Sequence, residues 1–242
     1  MIITSVNNDK IKEISKLNDK KYRDSTNTFL IEGYHLVEEA IRSNLLKELI
    51  LLEGEDMSFD GPITYVNDKV MKKLSGMNSY PKVMGICHKK KEENIGNRVL
   101  ILEDVQDPGN IGTIIRSSVA FNVDTIILSN KCADIYSSKV IRSTQGMLFY
   151  SNIITCDIID KIKYFKDNSY TIYGTKVDGG SNIKDINLPS KYALVIGNEG
   201  NGMSDIVSSL CDEYLYIKMN KRVESLNAGV ATSILLYEMD NM

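Results

Sequence analysis

Three loops hold the residues of this sequence that are best suited to chemistry. The first, residues 103–112, has the sequence EDVQDPGNIG and leads into a helical pattern that carries Arg116. The second, residues 197–202, has the sequence GNEGNG, and the third, residues 218–227, ends in SLN. Each also has a plain structural explanation, since Asp-Pro-Gly-Asn suits a turn and helix start, glycine suits tight connections and serine suits an N-cap region. Neither glycine loop fits a P-loop or dinucleotide fingerprint, because no Gly-Lys-Ser/Thr follows and a glutamate stands where a phosphate requires neutrality.

The elements that must position these loops alternate between strand and helix patterns. Short apolar runs lie at residues 99–102, 125–128, 170–173, 193–196 and 214–217, and helical patterns lie at 111–121 and 227–239. Continuous apolar strands separated by helices indicate a parallel sheet with helices on both faces. Ligands of such sheets bind beyond the carboxyl ends of the strands, where all three loops are expected.

The N-terminal segment predicts a separate, small α/β unit. Asn8 is a plausible N-cap for a helix with Ile11, Ile14 and Leu17 at helical spacing. Further strand patterns lie at residues 29–31, 49–52, 63–66 and 83–87, and helical patterns lie at 36–41 and 68–74. The polar stretch 89–94 then predicts a linker. The predicted organisation is a first domain at residues 1–92, a linker at 93–97 and a second domain at 98–242.

Composition narrows the class of protein. The chain has 242 residues, 43% of them hydrophobic, and a net charge of −3, which is typical of a globular protein. No apolar stretch approaches the roughly 20 residues that span a bilayer, so the sequence predicts a cytoplasmic protein with no membrane partner. The four cysteines are widely spaced and there are only two histidines, which favours reduced thiols and no metal site.

Two lysine-rich clusters stand out as local concentrations of charge. The first comprises Lys10, Lys12, Lys16, Lys20, Lys21 and Arg23, and the second is the run of three lysines at residues 89–91. The first cluster has two alternative explanations, a solvated helix face and a contact with RNA phosphates.

Taken together, in their order and spacing, the three loops resemble the motifs of the SpoU (TrmH) family of RNA ribose 2′-O-methyltransferases in the SPOUT superfamily. The matching segments are DPGNIGTIIRSS at 107–118, VIGNEGNGMS at 195–204 and IKMNKRVESLNAGVATSILLYE at 217–238. The resemblance covers residues 98–242. Residues 1–92, with FLIEGYHLVEEA at 29–40, are similar to the N-terminal substrate-binding domain of this family.

This resemblance implies the fold, the cofactor and the partners. The implied fold is a C-terminal α/β domain with a parallel sheet, helices on both faces and a trefoil knot, preceded by a small α/β RNA-binding domain. The implied cofactor is S-adenosylmethionine, and the implied partner is RNA, ribosomal rather than transfer RNA, with no role for DNA. The family also forms homodimers with the active site at the interface.

The resemblance also implies roles for individual residues. Arg116 contacts an RNA phosphate and assists removal of the 2′-hydroxyl proton, and Asn110 orients that arginine and the substrate. Glu199 ties the loops together, Ser225 lies near substrate or cofactor, and Asn227 fixes its loop. The backbone at Gly197, Ile217 and Leu226 holds the adenosine.

The third motif departs from the family pattern at two positions. Lys218 stands where a proline is common, and Lys221 stands where a glycine is common. Both residues lie in the loop expected to hold the cofactor. With Arg222 they add positive charge that an RNA substrate would favour.

Methyl transfer mainly requires that the acceptor oxygen, the methyl carbon and the sulfur be aligned, because the cofactor already carries an activated methyl group. A ribose hydroxyl is a poor nucleophile until its proton is accepted, so a base or a strongly polarising group is needed. Arginine is normally protonated, which favours phosphate positioning and charge stabilisation as the role of Arg116. Alternatives are a non-catalytic RNA-binding or ribosome-assembly protein of the same fold, a transfer-RNA 2′-O-methyltransferase, and a nucleotide-binding α/β enzyme, which the missing fingerprints disfavour.

Overall fold

A computed structural model describes residues 2–75 and 79–242. The chain divides into two compact units, the first formed by residues 1–91 with 134–150 and the second by residues 92–133 with 151–242. The predicted domain division at residues 93–97 stays a prediction. Periodicity gave no signal that residues 134–150 would pack with the first unit.

The first unit is built on a mixed sheet. Its elements in residues 1–91 are β1 (Ile2–Ile3), α1 (Asp9–Ser15), α2 (Lys20–Thr26), β2 (Thr28–Glu32), α3 (Tyr34–Arg42), β3 (Leu46–Leu52), β4 (Ile63–Val66), α4 (Asp68–Leu74) and β5 (Val83–His88). Among the described residues the strands form a five-stranded sheet in the order β1-β4-β3-β5-β2, with β5 antiparallel to both of its neighbours. Asn8 caps α1 as predicted, accepting a hydrogen bond from the backbone N–H of Lys10 at 2.9 Å.

The remaining elements are β6 (Arg98–Leu102), α5 (Pro108–Ala120), β7 (Thr125–Leu128), α6 (Ser138–Thr144), β8 (Ile153–Thr155), α7 (Ile158–Asp167), β9 (Thr171–Thr175), β10 (Ser181–Asn182), β11 (Tyr192–Ile196), α8 (Asp205–Leu210), β12 (Glu213–Tyr216) and α9 (Ala228–Asp240). Helix α6 lies in residues 134–150 and belongs to the first unit. In the part of the second unit that the structure describes, the strands form a seven-stranded sheet in the order β10-β12-β9-β11-β6-β7-β8, with parallel pairing throughout.

Helices flank this parallel sheet, as the apolar runs predicted. Val99 and Ile101 of β6 pack in one core with Phe165 of α7 and Val207 of α8. Because side chains alternate along a strand, the equally buried Leu100 points to the opposite face. Helices α5 and α9 pack against each other. The mixed α/β fold with a parallel sheet is confirmed, and the trefoil knot stays a prediction.

The N-terminal lysine cluster is largely neutralised by nearby carboxylates. Lys12 and Lys16 pair with Asp9 and Glu13, each three residues earlier along the chain, at 3.2 and 2.5 Å. Lys10 pairs with Glu48 at 2.6 Å, and Lys89 of the second cluster pairs with Asp24 at 2.5 Å. The contacts of these lysines fit the solvated-face explanation. In the described part of the chain, no helix has the length and apolar character that a membrane crossing requires.

Candidate active site

The carboxyl ends of β9, β11 and β12 open into a cavity of about 760 Å³. This volume lies within the range of small-molecule binding pockets. All but one of the predicted site residues line it, namely Asn110, Gly197, Glu199, Ile217, Ser225, Leu226 and Asn227. The parallel sheet therefore brings the three predicted loops to one place, as the topology of such sheets requires.

A chain of hydrogen bonds joins the three loops at the rim of this cavity. The Glu199 carboxylate accepts hydrogen bonds from the Asn110 side-chain amide at 2.9 Å and from the backbone N–H groups of Asp107 and Gln106 at 3.1 and 3.3 Å. The Asn110 Oδ1 atom in turn accepts from the Asn227 Nδ2 atom at 2.8 Å. Each motif thus holds the next one in position.

Local sequence explains why these side chains point at each other. Asp107 caps α5 by accepting from the backbone N–H of Asn110 at 2.8 Å, and Pro108 occupies the first turn, where its missing N–H costs nothing. Asn227 caps α9 by accepting from the backbone N–H of Val230 at 3.2 Å. Its amide nitrogen is therefore left to donate to Asn110, which is buried. Two helix caps and one carboxylate define the arrangement.

The electrostatics of Glu199 favour its ionised form. Burial opposes ionisation, but the hydrogen bonds from the Asn110 amide and from neighbouring backbone N–H groups outweigh it, so the pKa of Glu199 lies below its ordinary value. The residue stays exposed at the cavity rim. At neutral pH it is a carboxylate held by donors.

The second loop is closed on itself by Asn198, a residue that the motif comparison did not single out. Its Oδ1 atom accepts from the backbone N–H groups of Gly200 and Asn201 at 2.9 and 3.2 Å, and its Nδ2 atom donates to the Asp104 carbonyl at 2.7 Å. An asparagine two residues before a glycine is a turn signal that could have identified it. The closure brings backbone so near that a Cβ on Gly197 would lie 2.2 Å from the carbonyl carbon of Gly202.

The carboxyl end of β9 and the loop after it also contribute to the cavity and were missed by the motif comparison. Thr175, Lys176 and Val177 line it, and Met219 does so from the third loop. The Lys176 Nζ atom lies 3.5 Å from the centroid of the Tyr214 ring, a cation–π contact. The signal for these residues was positional, because β9 is the neighbour of β11 and its carboxyl end must meet the same cavity.

Arg116 is the one predicted catalytic residue that does not line the cavity of its own chain. It is exposed on α5, six residues after Asn110, a rise of about 9 Å along a helix. Within residues 2–75 and 79–242 it forms neither an ion pair nor a hydrogen bond through its side chain. The guanidinium group is therefore exposed and unpaired among the described residues.

Lys218, Lys221 and Arg222 are all exposed on the third loop. None of them is paired with a carboxylate in the ranges that the structure describes. The two departures from the family pattern therefore place their charges in solvent, beside a loop whose Ile217 and Met219 line the cavity.

The fold and the site together define an α/β protein with a small-molecule pocket at the carboxyl edge of a parallel sheet. The model of the SpoU rRNA Methylase family matches residues 97–237, and that of the MRM3-like substrate binding domain matches residues 8–85. The chain belongs to the SpoU rRNA methylase family, which confirms the resemblance drawn from the three motifs.

Similar proteins extend the match over the whole chain. The 23S rRNA (guanosine(2553)-2′-O)-methyltransferase RlmP of Bacillus subtilis is 33% identical over 98% of each chain. The structure of an AdoMet-bound rRNA methyltransferase from Sinorhizobium meliloti is 28% identical, with a TM-score of 0.87 over 100% of this chain and 97% of the other. By contrast, a TrmH/SpoU tRNA modifying enzyme from A. aeolicus (26% identity, TM-score 0.55) covers 62% of this chain and 77% of its own.

Proposed function

We propose that this protein transfers a methyl group from S-adenosylmethionine to the 2′-hydroxyl of a ribose in ribosomal RNA, and that the RNA is that of the large subunit. The observation that carries the proposal is the Glu199–Asn110–Asn227 chain of hydrogen bonds, which joins all three family motifs around one cavity. The full-length similarity to a 23S rRNA methyltransferase supports the substrate, and that substrate in turn implies a cytoplasmic protein.

The residues of the cavity fit the cofactor. Its lining combines apolar side chains such as Leu215 and Leu235 with backbone and amide groups of the second and third loops, which suits an adenosine. Gly197 lies where any Cβ would collide with backbone, so the loop can close tightly around a ligand. The backbone at Gly197, Ile217 and Leu226 would hold it. The bound cofactor supplies a methyl group already activated for transfer.

The other predicted residues position the acceptor. Asn110 is held from both sides, by Glu199 and by Asn227, so its orientation at the cavity is fixed before any substrate arrives. Ser225 lines the cavity beside this pair. Arg116, permanently charged, binds the phosphate next to the target ribose and stabilises the charge that develops as the hydroxyl loses its proton.

We further propose that the active enzyme is a homodimer whose partner supplies Arg116. Helix α9 has apolar side chains on more than its core-facing side: Leu235, Leu236 and Met239 are buried, whereas Val230 and Tyr237 are 46% and 53% exposed. A helix with a second apolar side normally packs that side against another surface. A second copy packed on α9 would cover these side chains, and Arg116, which does not reach its own cavity, would serve the cavity of that copy.

The test begins with calorimetric titration of the purified protein with S-adenosylmethionine, S-adenosylhomocysteine, ATP and NAD. Binding of the first two alone is expected. Transfer of a tritiated methyl group to unmodified 23S rRNA is then compared with transfer to transfer RNA, with the Arg116→Ala variant as the matched inactive control. Preferential ATP or NAD binding, or cofactor binding without transfer to any RNA, would contradict the proposal.

A further inference from the structure

A second, smaller cavity of about 140 Å³ lies wholly within the first unit. One wall comes from α2 and β2 and includes Arg23 and Glu32. The other wall comes from the start of α6 and includes Ser137, Ser138 and Arg142. No family motif quoted above covers this wall, and the proposed methyl transfer does not use it.

Arg142 is the unusual residue of this cavity, because one nitrogen of its guanidinium group is buried without a partner among the described residues. Its Nη1 atom is shut off from solvent and has no hydrogen-bond partner in the part of the chain that the structure describes. Its side chain forms no ion pair in the described ranges, whereas Arg42 and Lys89, elsewhere in the same unit, each pair with a carboxylate. Burying a guanidinium nitrogen without a partner is costly, so a partner from outside the chain is expected.

Arg23 forms the opposite wall and is locked in place. It is only 6% exposed, donates to the Leu17 carbonyl at 2.8 Å and pairs with Asp134. Its Nε atom is buried and finds no hydrogen-bond partner within residues 2–75 and 79–242. The cavity therefore has two guanidinium groups, each with one unsatisfied nitrogen, on walls that come from distant parts of the chain.

The remaining polar groups of the cavity are compatible with an anion. The hydroxyl groups of Ser137 and Ser138 donate to no acceptor within residues 2–75 and 79–242, so both are available. Glu32 is the one carboxylate in the lining, and its Oε2 atom is occupied by the Ser75 hydroxyl at 2.9 Å. Asp134 is neutralised by Arg23. The lining therefore carries two guanidinium groups against one carboxylate, and Arg142 forms no ion pair with that carboxylate in the described ranges.

We propose that this cavity is a phosphate site in which Arg142 is the main ligand, Ser137 and Ser138 are hydroxyl donors and Arg23 is the fixed wall. The ligand is a tetrahedral phosphate group, which either the RNA backbone or free phosphate can supply. The RNA source rests on the proposed function. A guanidinium group suits either source, because its planar fork of N–H donors matches phosphate oxygens.

The experiment measures the affinity of the full-length protein for unmodified 23S rRNA over a range of salt concentrations. Arg142→Ala is expected to weaken binding about tenfold. It is also expected to reduce the slope of log affinity against log salt by about 1, the value for one phosphate contact. Arg142→Lys retains the charge and is expected to keep most of the slope. Lys139→Ala, which removes an exposed charge of α6 outside the cavity lining, is the matched control and is expected to change affinity less than about twofold.

A parallel titration with inorganic phosphate, followed by ³¹P NMR, distinguishes the two sources. Loss of phosphate binding in Arg142→Ala with unchanged rRNA affinity assigns the site to free phosphate, and loss of rRNA affinity with a lower slope assigns it to the RNA backbone. Lower rRNA affinity with an unchanged slope marks a structural role and contradicts the site, as does an Arg142→Ala variant that matches the wild type in both titrations. If the wild type binds neither rRNA nor S-adenosylmethionine, the proposed function fails, while the phosphate titration still decides this proposal.

Discussion

The Glu199 carboxylate acts as a fixed acceptor rather than as an acid. It gathers two backbone N–H groups of the first loop and the Asn110 amide, and these donors favour its ionised form. A group that is already ionised and fully engaged has little tendency to take a proton from a substrate. Proton removal therefore has to be assisted elsewhere, which agrees with the role proposed for Arg116.

Replacing Glu199 with glutamine tests this interpretation through pH. The folded-state pKa of Glu199 is lowered, so its contribution to stability is present above the unfolded pKa of about 4.3 and is lost as pH falls through the folded value. We expect Glu199→Gln to lower the free energy of unfolding at pH 7 by about 1 kcal/mol, a modest value because the residue is exposed. Urea unfolding from pH 7 down to about pH 3 should show the difference shrinking. A difference in unfolding free energy that does not depend on pH would mean that the charge of Glu199 does not contribute to stability.

Most elements around the site could be predicted from the sequence, because their apolar residues follow a clear period. The runs at 99–102, 125–128 and 193–196 are β6, β7 and β11 within one residue at each end. Strand β8 and helices α6, α7 and α8 were not predicted. Helix α8 has only six residues and β8 has three, too few for a period to show.

Asn227, at the start of α9, both caps the helix and donates a hydrogen bond to Asn110, and substitutions can separate these two functions. Asn227→Ala removes both the N-cap acceptor and the link to Asn110, and we expect it to cost about 1 kcal/mol of unfolding free energy. Asn227→Ser keeps a capping oxygen but has no amide to donate, so it should regain stability without regaining methyl transfer. Urea unfolding and transfer rates measured on both variants make the comparison. Full activity in Asn227→Ser would show that the link to Asn110 is dispensable.

The second loop offers a matched pair of glycines. A Cβ at Gly197 would lie 2.2 Å from the Gly202 backbone, whereas a Cβ at Gly200 would meet its nearest atom at 3.5 Å. Because backbone cannot yield as a flexible side chain does, Gly197→Ala must open the loop, and we expect its affinity for S-adenosylmethionine to fall at least about tenfold. Gly200→Ala should bind within about twofold of wild type. Calorimetry measures the cofactor affinity of both variants. Equal affinities would show that the close backbone approach at Gly197 does not affect cofactor binding.

The sequence and its family resemblance predicted that Asn110, Glu199 and Asn227 meet, but not that Arg116 lies outside their cavity. Asn110, Glu199 and Asn227 converge because parallel strands end at a common edge, a rule that a single chain obeys. Arg116 lies outside that cavity, and periodicity carries no information about a second copy. The crossing of residues 134–150 into the first unit escaped prediction for a related reason, since it depends on tertiary packing between distant segments.

Mixing two impaired variants tests whether Arg116 acts across the dimer, at an S-adenosylmethionine concentration well below the Kd of Gly197→Ala. Under that condition Arg116→Ala keeps the cofactor cavity but lacks the arginine, and Gly197→Ala keeps the arginine but has an almost empty cavity. In a symmetric dimer with the arginine supplied by the partner, a mixed dimer has one complete site, so equal mixing and subunit exchange should restore about a quarter of wild-type methyl transfer. If each chain supplied its own arginine, no mixture would contain a complete site. Methyl transfer to 23S rRNA after exchange, compared with each variant alone, decides between the two. A mixture as inactive as its components, although exchange is demonstrated by differently tagged chains, would place Arg116 and its cavity in the same protomer.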